Sequence, residues 1–199
     1  KHLPKIYSNI VVGPQPHELV CDGFLSPYRH FGRERADLSK LGMRGGEYTE
    51  SSQEAVFDSP LVFEGVVQDL RTAPFTKCII FCSSIKHCDH LTKELQGAGF
   101  DCVPVHSQLG DAIESYNTAQ FEKGLVPICV SVGILTKGFD CKPIDLVVLN
   151  RATTSLPLYL QMTGRGSRIS PGKQEFRVLD YGENWKRHKL WDFAHDWGV

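Results

Sequence analysis

Apolar positions are unevenly patterned along the chain. As far as about residue 46 the pattern is broken by Pro4, Pro14, Pro16 and Pro27, and no sustained helical or strand period develops. Residues 16–22 fit a short helix and 24–31 a short strand, but as a whole this stretch reads as a linker or extension. The boundary is therefore placed at 1–45 against a folded domain over 46–199. After Gly45-Gly46 two helices are predicted. The first covers 51–58, with Ser51 and Ser52 as N-cap candidates and Glu54 in its first turn. The second covers 60–71, with Pro60 in its first turn and Phe63, Val66, Val67 and Leu70 on one face at i, i+3, i+4 and i+7.

From residue 78 the texture changes. Cys-Ile-Ile-Phe-Cys at 78–82 is a continuous apolar, β-rich run, as expected of a strand covered on both faces. A helix to about residue 98 follows, with Leu91 and Leu95 apolar, then a strand at 102–105, a helix at 112–121 and a second buried strand at 127–132. Strands at 145–149 and 176–179 complete the series, separated by a helical stretch beginning at Leu156, and a mixed-charge helix is expected over 184–197. Strand and helix alternate at the spacing of βαβ units, so the predicted fold is α/β, a parallel sheet sandwiched between helices.

Composition narrows the class further. At 199 residues with 41% hydrophobic positions, the chain has enough apolar material for one core, which excludes a disordered, collagenous or coiled-coil protein. No apolar run reaches the roughly 20 residues of a membrane helix, and Lys1-His2-Leu3-Pro4-Lys5 has neither an initiator Met nor an apolar signal core. The expectation is a soluble piece of a longer chain, with no membrane partner. Seven cysteines, several in buried-strand patterns, fit a reducing, cytoplasmic setting. Cys82, His87, Cys88 and His90 cluster in sequence without a paired C-x-x-C spacing, so no metal site is assigned there. The net charge of −1 gives no global attraction for nucleic acid, although residues 29–44 hold five Arg or Lys against two acids.

Ligands of open parallel sheets gather at the carboxyl ends of strands. Ser83-Ser84, His106-Ser107, Thr136 to Asp140 and Arg151 to Ser155 all follow predicted strands, although Ser and Thr there also serve as helix caps. A second constellation is Gln161-Met-Thr-Gly164-Arg165-Gly166-Ser-Arg168. If helical, it places Gln161, Arg165 and Arg168 at i, i+4 and i+7 on one face. Two guanidinium groups side by side repel unless an anion joins them, and a phosphate suits their geometry. A solvated basic face is the competing reading, and Gly164 and Gly166 tilt the balance towards a ligand by letting it approach closely.

The ordered set Ile79-Ile80-Phe81-Cys82-Ser83, Val105-His106-Ser107, Phe121-Glu122-Lys123-Gly124, Thr136-Lys137-Gly138-Phe139-Asp140 and Q-x-x-G-R-x-x-R resembles the landmarks of the second RecA-like domain of superfamily 2 helicases. Arg151-Ala-Thr-Thr-Ser155 and Pro171-Gly172-Lys173 are similar to the DEAD/DEAH-like subgroup of bacteria, plasmids and phages. The resemblance covers roughly residues 60–182 and makes residues 1–45 the tail of a first RecA-like domain and a crossing linker.

By that resemblance the protein is the C-terminal motor half of an ATP-dependent helicase or translocase. Arg165 and Arg168 match arginine fingers at the γ-phosphate, and Gln161 the glutamine beside the attacking water. Gly138 and Asp140 match the motif that faces the nucleotide. Ser83, His106, Ser107, Ser131 and Thr154 fall on the side that grips a nucleic-acid backbone, Ser131 standing where Thr is commoner. The implied cofactors are ATP and Mg2+, and the implied partners are nucleic acid, DNA ahead of RNA, and the first RecA-like domain of the same chain. G-x-x-x-x-G-K-[ST] and D-E-x-[HD] are absent from the sequence; its one Gly-Lys pair, Gly172-Lys173, is followed by Gln174. The 199 residues alone are therefore expected to be inactive as an ATPase. A rival reading is a non-catalytic α/β module that recognises a phosphorylated ligand or a protein.

Overall fold

The structure, a computed structural model, describes residues 12–133 and 143–195. Its main sheet has six parallel strands in the order β1-β8-β7-β4-β6-β5. They are β1 (Tyr28–Gly32), β4 (Cys78–Cys82), β5 (Cys102–Val105), β6 (Ile128–Val132), β7 (Leu146–Asn150) and β8 (Phe176–Asp180). The remaining pair, β2 (Met43–Arg44) and β3 (Glu47–Tyr48), forms an antiparallel hairpin.

The strand pattern dictates three layers. Along β4, Cys78, Ile80 and Cys82 face one side while Ile79 and Phe81 face the other, because successive side chains alternate across the sheet. The first side is covered by α2 (Glu50–Phe57), α3 (Pro60–Thr72) and α4 (Ile85–Gly97). Val56, Phe57, Val62, Phe63, Val66, Leu70, Leu91 and Leu95 are buried there. The second side is covered by α5 (Asp111–Glu122) and α6 (Leu156–Gly164), through Phe121, Tyr159 and Met162, with Trp191 closing the end. Each fully buried Val, Leu, Ile or Phe contributes about 1.5–3 kcal/mol. Apolar burial on both faces holds the sheet, and the six cysteines among the described residues are free thiols.

Two expectations change at the amino-terminal side. The first 45 residues are not all linker: α1 (Pro16–Cys21) leads into β1, which pairs along its length with β8 from Tyr28↔Phe176 to Gly32↔Asp180. The sheet thus recruits a strand from before the expected boundary, because β8 would otherwise present an unpaired edge. Gly45 and Gly46, at φ +63 and +85, form the two-residue turn of the β2–β3 hairpin rather than a domain junction. Helix α2 begins one residue early, since Thr49 is its N-cap and accepts the Ser52 N–H, while the Ser52 hydroxyl donates to the carbonyls of Gly42 and Thr49. At the other end, α7 (Asn184–His188) is much shorter than the expected 184–197, because Lys189 at φ +68 leaves helical geometry.

A buried polar relay joins the carboxyl ends of the two central strands. His87, on α4, is wholly enclosed and lies between the rings of Phe57 and Phe63. Its Nδ1 accepts the Ser83 N–H at 3.3 Å and stands 3.1 Å from the Ser83 hydroxyl. Nε2 then carries the ring proton and faces the Asn150 side-chain amide at 3.0 Å, an arrangement that assigns the amide oxygen as acceptor. Burial, reinforced by the nearby Arg151 charge, pushes the His87 pKa from 6.5 down to about 3.

Glycines at two contrasting positions give opposite expectations. A Cβ on Gly182 would overlap the backbone carbonyl of Arg151, whereas one on Gly97, the last residue of α4, would meet nothing within 4 Å. In urea denaturation, Gly182→Ala should lose about 1–3 kcal/mol or more. Gly97→Ala should gain about 0.4–1 kcal/mol by restricting the unfolded chain.

For His87 the linkage sign is set by a folded pKa below the unfolded one. Between about 3 and 6.5 the unfolded state binds the extra proton, so stability is complete above pH 6.5 and is lost as pH falls towards 3. The slope from this one group approaches about 1.4 kcal/mol per pH unit. His87→Phe keeps a flat ring between Phe57 and Phe63 and should flatten this acid limb in pH-dependent unfolding, despite a lower stability at neutral pH. An unchanged limb would mean that carboxylates alone produce it.

Candidate functional site

The polar residues singled out in the sequence divide between the two edges of the sheet. At the carboxyl edge, the loop after β7 is the best-anchored feature. Thr153 N–H donates to the Asn184 amide oxygen at 2.8 Å, and the Asn184 amide donates to the Arg151 carbonyl and to buried Asp180. Ser155 caps α6 by accepting the Leu158 N–H.

The β2–β3 hairpin closes over the same loop. Glu47 accepts the Thr153 hydroxyl and the Thr154 N–H, each at 3.0 Å, while the Thr154 hydroxyl donates to the Gly46 carbonyl at 2.7 Å. Burial pushes the Glu47 carboxyl up, but the N–H groups of Thr154 and Tyr48 and the threonine hydroxyls outweigh it and leave the group below its usual range. Arg151 points inward, its Nη1 3.5 Å from the Cys82 carbonyl, and burial lowers its pKa against the opposing fields of Glu47 and Glu50.

The expected nucleic-acid residues are unequal in this setting. Ser107 is exposed at the start of a short 3-10 turn, and Thr154 is partly exposed with its hydroxyl engaged by Gly46. His106 is buried, its Nε2 3.0 Å from an Asp89 oxygen, and Ser83 is buried against His87. Ser131 is fully enclosed on β6, facing the same side as Cys129, and its hydroxyl has no hydrogen-bond partner among the described residues. The direct side-chain contact expected of Ser131 is therefore not available in this arrangement, because strand alternation turns it into the α5–α6 layer.

The arginine pair lies at the opposite, amino edge. Helix α6 runs back from the carboxyl end of β7 and stops at Gly164, so Arg165 is its C-cap and Arg168 lies in the irregular segment beyond. The expected i, i+4, i+7 helical face is thus broken after Gly164. Gln161 is exposed on the last turn, Arg165 half-buried and Arg168 exposed. The two guanidinium groups nevertheless remain close enough to interact. Burial and then the Arg168 charge pull the Arg165 pKa below its ordinary value. Gly166 rests on Phe176, the first residue of β8, with no room for a Cβ, and Ser26 N–H donates to the Ser167 carbonyl at 2.7 Å. Gly138 and Asp140, with Thr136, Lys137 and Phe139, lie outside the described residues, as does Trp197.

Sequence reasoning singled out Arg151 within the 151–155 loop but did not point to Glu47, which contacts that loop, or to Asn150 at the end of β7. Glu47 has a local signal, standing immediately after a Gly-Gly turn. Asn150 at the end of an apolar strand is a weaker one. Among the described residues no three His, Cys, Asp or Glu side chains converge as a metal-binding group.

Comparison with known proteins bears on both edges together. Residues 62–170 match the family described as the helicase conserved C-terminal domain. A 51.5 kDa protein of a Lactococcus phage (isolate 7-9) is 27% identical over 191 residues, covering 96% of this chain and 42% of that protein. An Escherichia coli type I restriction enzyme EcoAI endonuclease subunit is 28% identical over 196 residues, covering 82% of this chain and 24% of the subunit. The chain thus spans less than half the length of these curated relatives. The solved C-terminal domain of the DEAD-box protein Dbp5 superposes with a TM-score of 0.58 at 15% identity, covering 84% of this chain and 82% of that domain. The family match runs from α3 through the β4–β7 core to Ser170, two residues past the second arginine, and with it the chain belongs to the helicase conserved C-terminal domain family, built on the RecA-like fold of superfamily 2 helicases.

Proposed function

We propose that this chain is the C-terminal motor half of an ATP-dependent nucleic-acid helicase or translocase. The observation that supports this most is the match of residues 62–170, which include Arg165 and Arg168, to the helicase conserved C-terminal domain. Two guanidinium groups on one loop suit a polyanion such as the ATP triphosphate. In this reading Mg2+ is held with the phosphates by a first RecA-like domain.

When bound, ATP supplies the γ-phosphoryl group that is transferred to water. Arg165 and Arg168 reach across the cleft and offset the charge that develops on that group. Gln161, one turn earlier on α6, orients the attacking water. Gly138 and Asp140 are assigned to the nucleotide from the sequence alone. At the other edge, Ser83, His106, Ser107 and Thr154 are assigned to the nucleic-acid backbone, Ser107 and Thr154 through side chains and the buried residues through loop shape; Ser131 is kept only as support for the end of β6. The strand is taken to be DNA ahead of RNA and the setting cytoplasmic, both from the sequence alone.

The decisive experiment places Arg165→Ala and Arg168→Ala in the P-loop-bearing chain that contains this domain. Each should lower nucleic-acid-stimulated ATP turnover by about 10³-fold or more, with a much smaller change in nucleotide affinity. Normal turnover in both variants would remove the motor-half reading and favour a non-catalytic module.

The carboxyl edge yields a separate expectation. The groups assigned to the nucleic acid there are mainly neutral hydroxyls and backbone amides and the chain carries a net charge of −1, so few counterions should be released on binding. Titrated with labelled DNA and RNA, single- and double-stranded, the 199-residue chain should bind weakly, with a shallow salt slope and little sequence preference. Tight sequence-selective binding would instead identify a dedicated recognition domain.

A further inference from the structure

Between the end of α6 and the start of β8 the chain runs through residues 165–175 without regular structure, yet it carries both arginines. Its shape has to come from contacts other than a backbone ladder. Three fix its first part. Gly166 lies on the Phe176 ring, the Ser167 hydroxyl donates to the Gly164 carbonyl at 2.8 Å, and the Ser167 carbonyl accepts the Ser26 N–H.

The fourth contact comes from within the loop. Gly172, at φ +83, turns the chain back, and the Lys173 N–H donates to the Ser170 carbonyl at 3.1 Å. The Lys173 ammonium then returns over the Phe176 ring, 5.3 Å from its centroid, and donates to the Gly166 carbonyl and, at 2.9 Å, to the Arg168 carbonyl. The second of these carbonyls is that of Arg168 itself, and the first lies one residue beyond Arg165. A solvated surface lysine would be extended into water. Lys173 is instead half-buried, and burial brings its pKa down to about 8 against the opposing field of Asp145, whose carboxylate is engaged by the Thr76 and Lys77 N–H groups.

We propose that Lys173 is a positioning residue for the arginine loop: by holding the Gly166 and Arg168 carbonyls it sets the direction in which the Arg165 and Arg168 guanidinium groups project. The assignment rests on the reading of those arginines as the groups that meet the nucleotide. Glutamine or methionine at this position would keep the stem on Phe176 but remove the charge, and methionine would also remove the donor.

The test has two arms. In the 199-residue chain, Lys173→Met should lower the backbone order parameters of residues 165–169 below about 0.6 while the sheet stays near about 0.85. Lys173→Arg, which keeps a charged donor, should restore them. A thermal melt of both variants confirms that the fold persists. In the P-loop-bearing chain, Lys173→Met should reduce kcat by about ten- to a hundredfold, the scale of a misplaced catalytic group, with KM for ATP changed by less than about threefold. Lys173→Arg should recover most of the kcat. An ordered loop in Lys173→Met overturns the proposal whatever the arginines do. So does unchanged kcat in Lys173→Met when Arg165→Ala and Arg168→Ala have lost turnover. Normal turnover in the arginine variants themselves would be the distinct failure of the motor-half reading.

Discussion

A parallel sheet covered on both faces leaves polar chemistry nowhere to sit except at the ends of its strands. β4 and β7 are buried along their whole length, so any unpaired polar group between their ends would cost about 1–3 kcal/mol. Inside, His87, Asn150 and Asp180 are tied to named partners, whereas the buried Ser131 hydroxyl has none among the described residues. Exposed polar side chains stand on the outer faces of the helices and in the loops at the two ends of the strands.

Legibility of the fold followed from the same constraint. The strand at 78–82 was readable to the residue because a doubly covered strand is a continuous apolar run bounded by polar turns, and the edge strand at 102–105 because its four residues are all apolar. β1 was not recognised as part of the sheet because an edge strand needs no such run. Its sequence, Tyr-Arg-His-Phe-Gly, is only partly buried, and nothing local reveals that β8 lies beside it. The short α7 was overestimated for a related reason: a mixed-charge helical pattern does not disclose where one residue, Lys189, adopts a left-handed conformation.

The candidate site shows a similar division. Arg165 and Arg168 could be found from their spacing and its resemblance to a helicase motif, and their mutual electrostatic influence survives in the structure. Their placement on one helical face could not, because Gly164-Arg165-Gly166 ends the helix between them. The contact of Glu47 with the 151–155 loop was not readable because its partners, Thr153 and Thr154, are more than a hundred positions away. Periodicity and local motifs report neighbours within a few residues. A hairpin that folds back over a distant loop has no such signature.

Helix α6 gives the two edges a physical connection. It starts at the Ser155 cap, in the loop held by Glu47 and Asn184, and ends at Arg165, so it spans about 14 Å from one edge towards the other. Tyr159 and Met162 bury its inner face, and Tyr159 is further fixed by a hydrogen bond from its hydroxyl to the Lys189 carbonyl at 3.1 Å. A close-packed helix of this kind moves as a unit rather than bending at mid-length. At its start the 151–155 loop is held by Glu47, Gln53 and Asn184. At its end Gly166 is set against Phe176 and its carbonyl is held by Lys173. Helix α6 is thus one packed element that begins in the loop at the carboxyl edge and ends at the arginine loop.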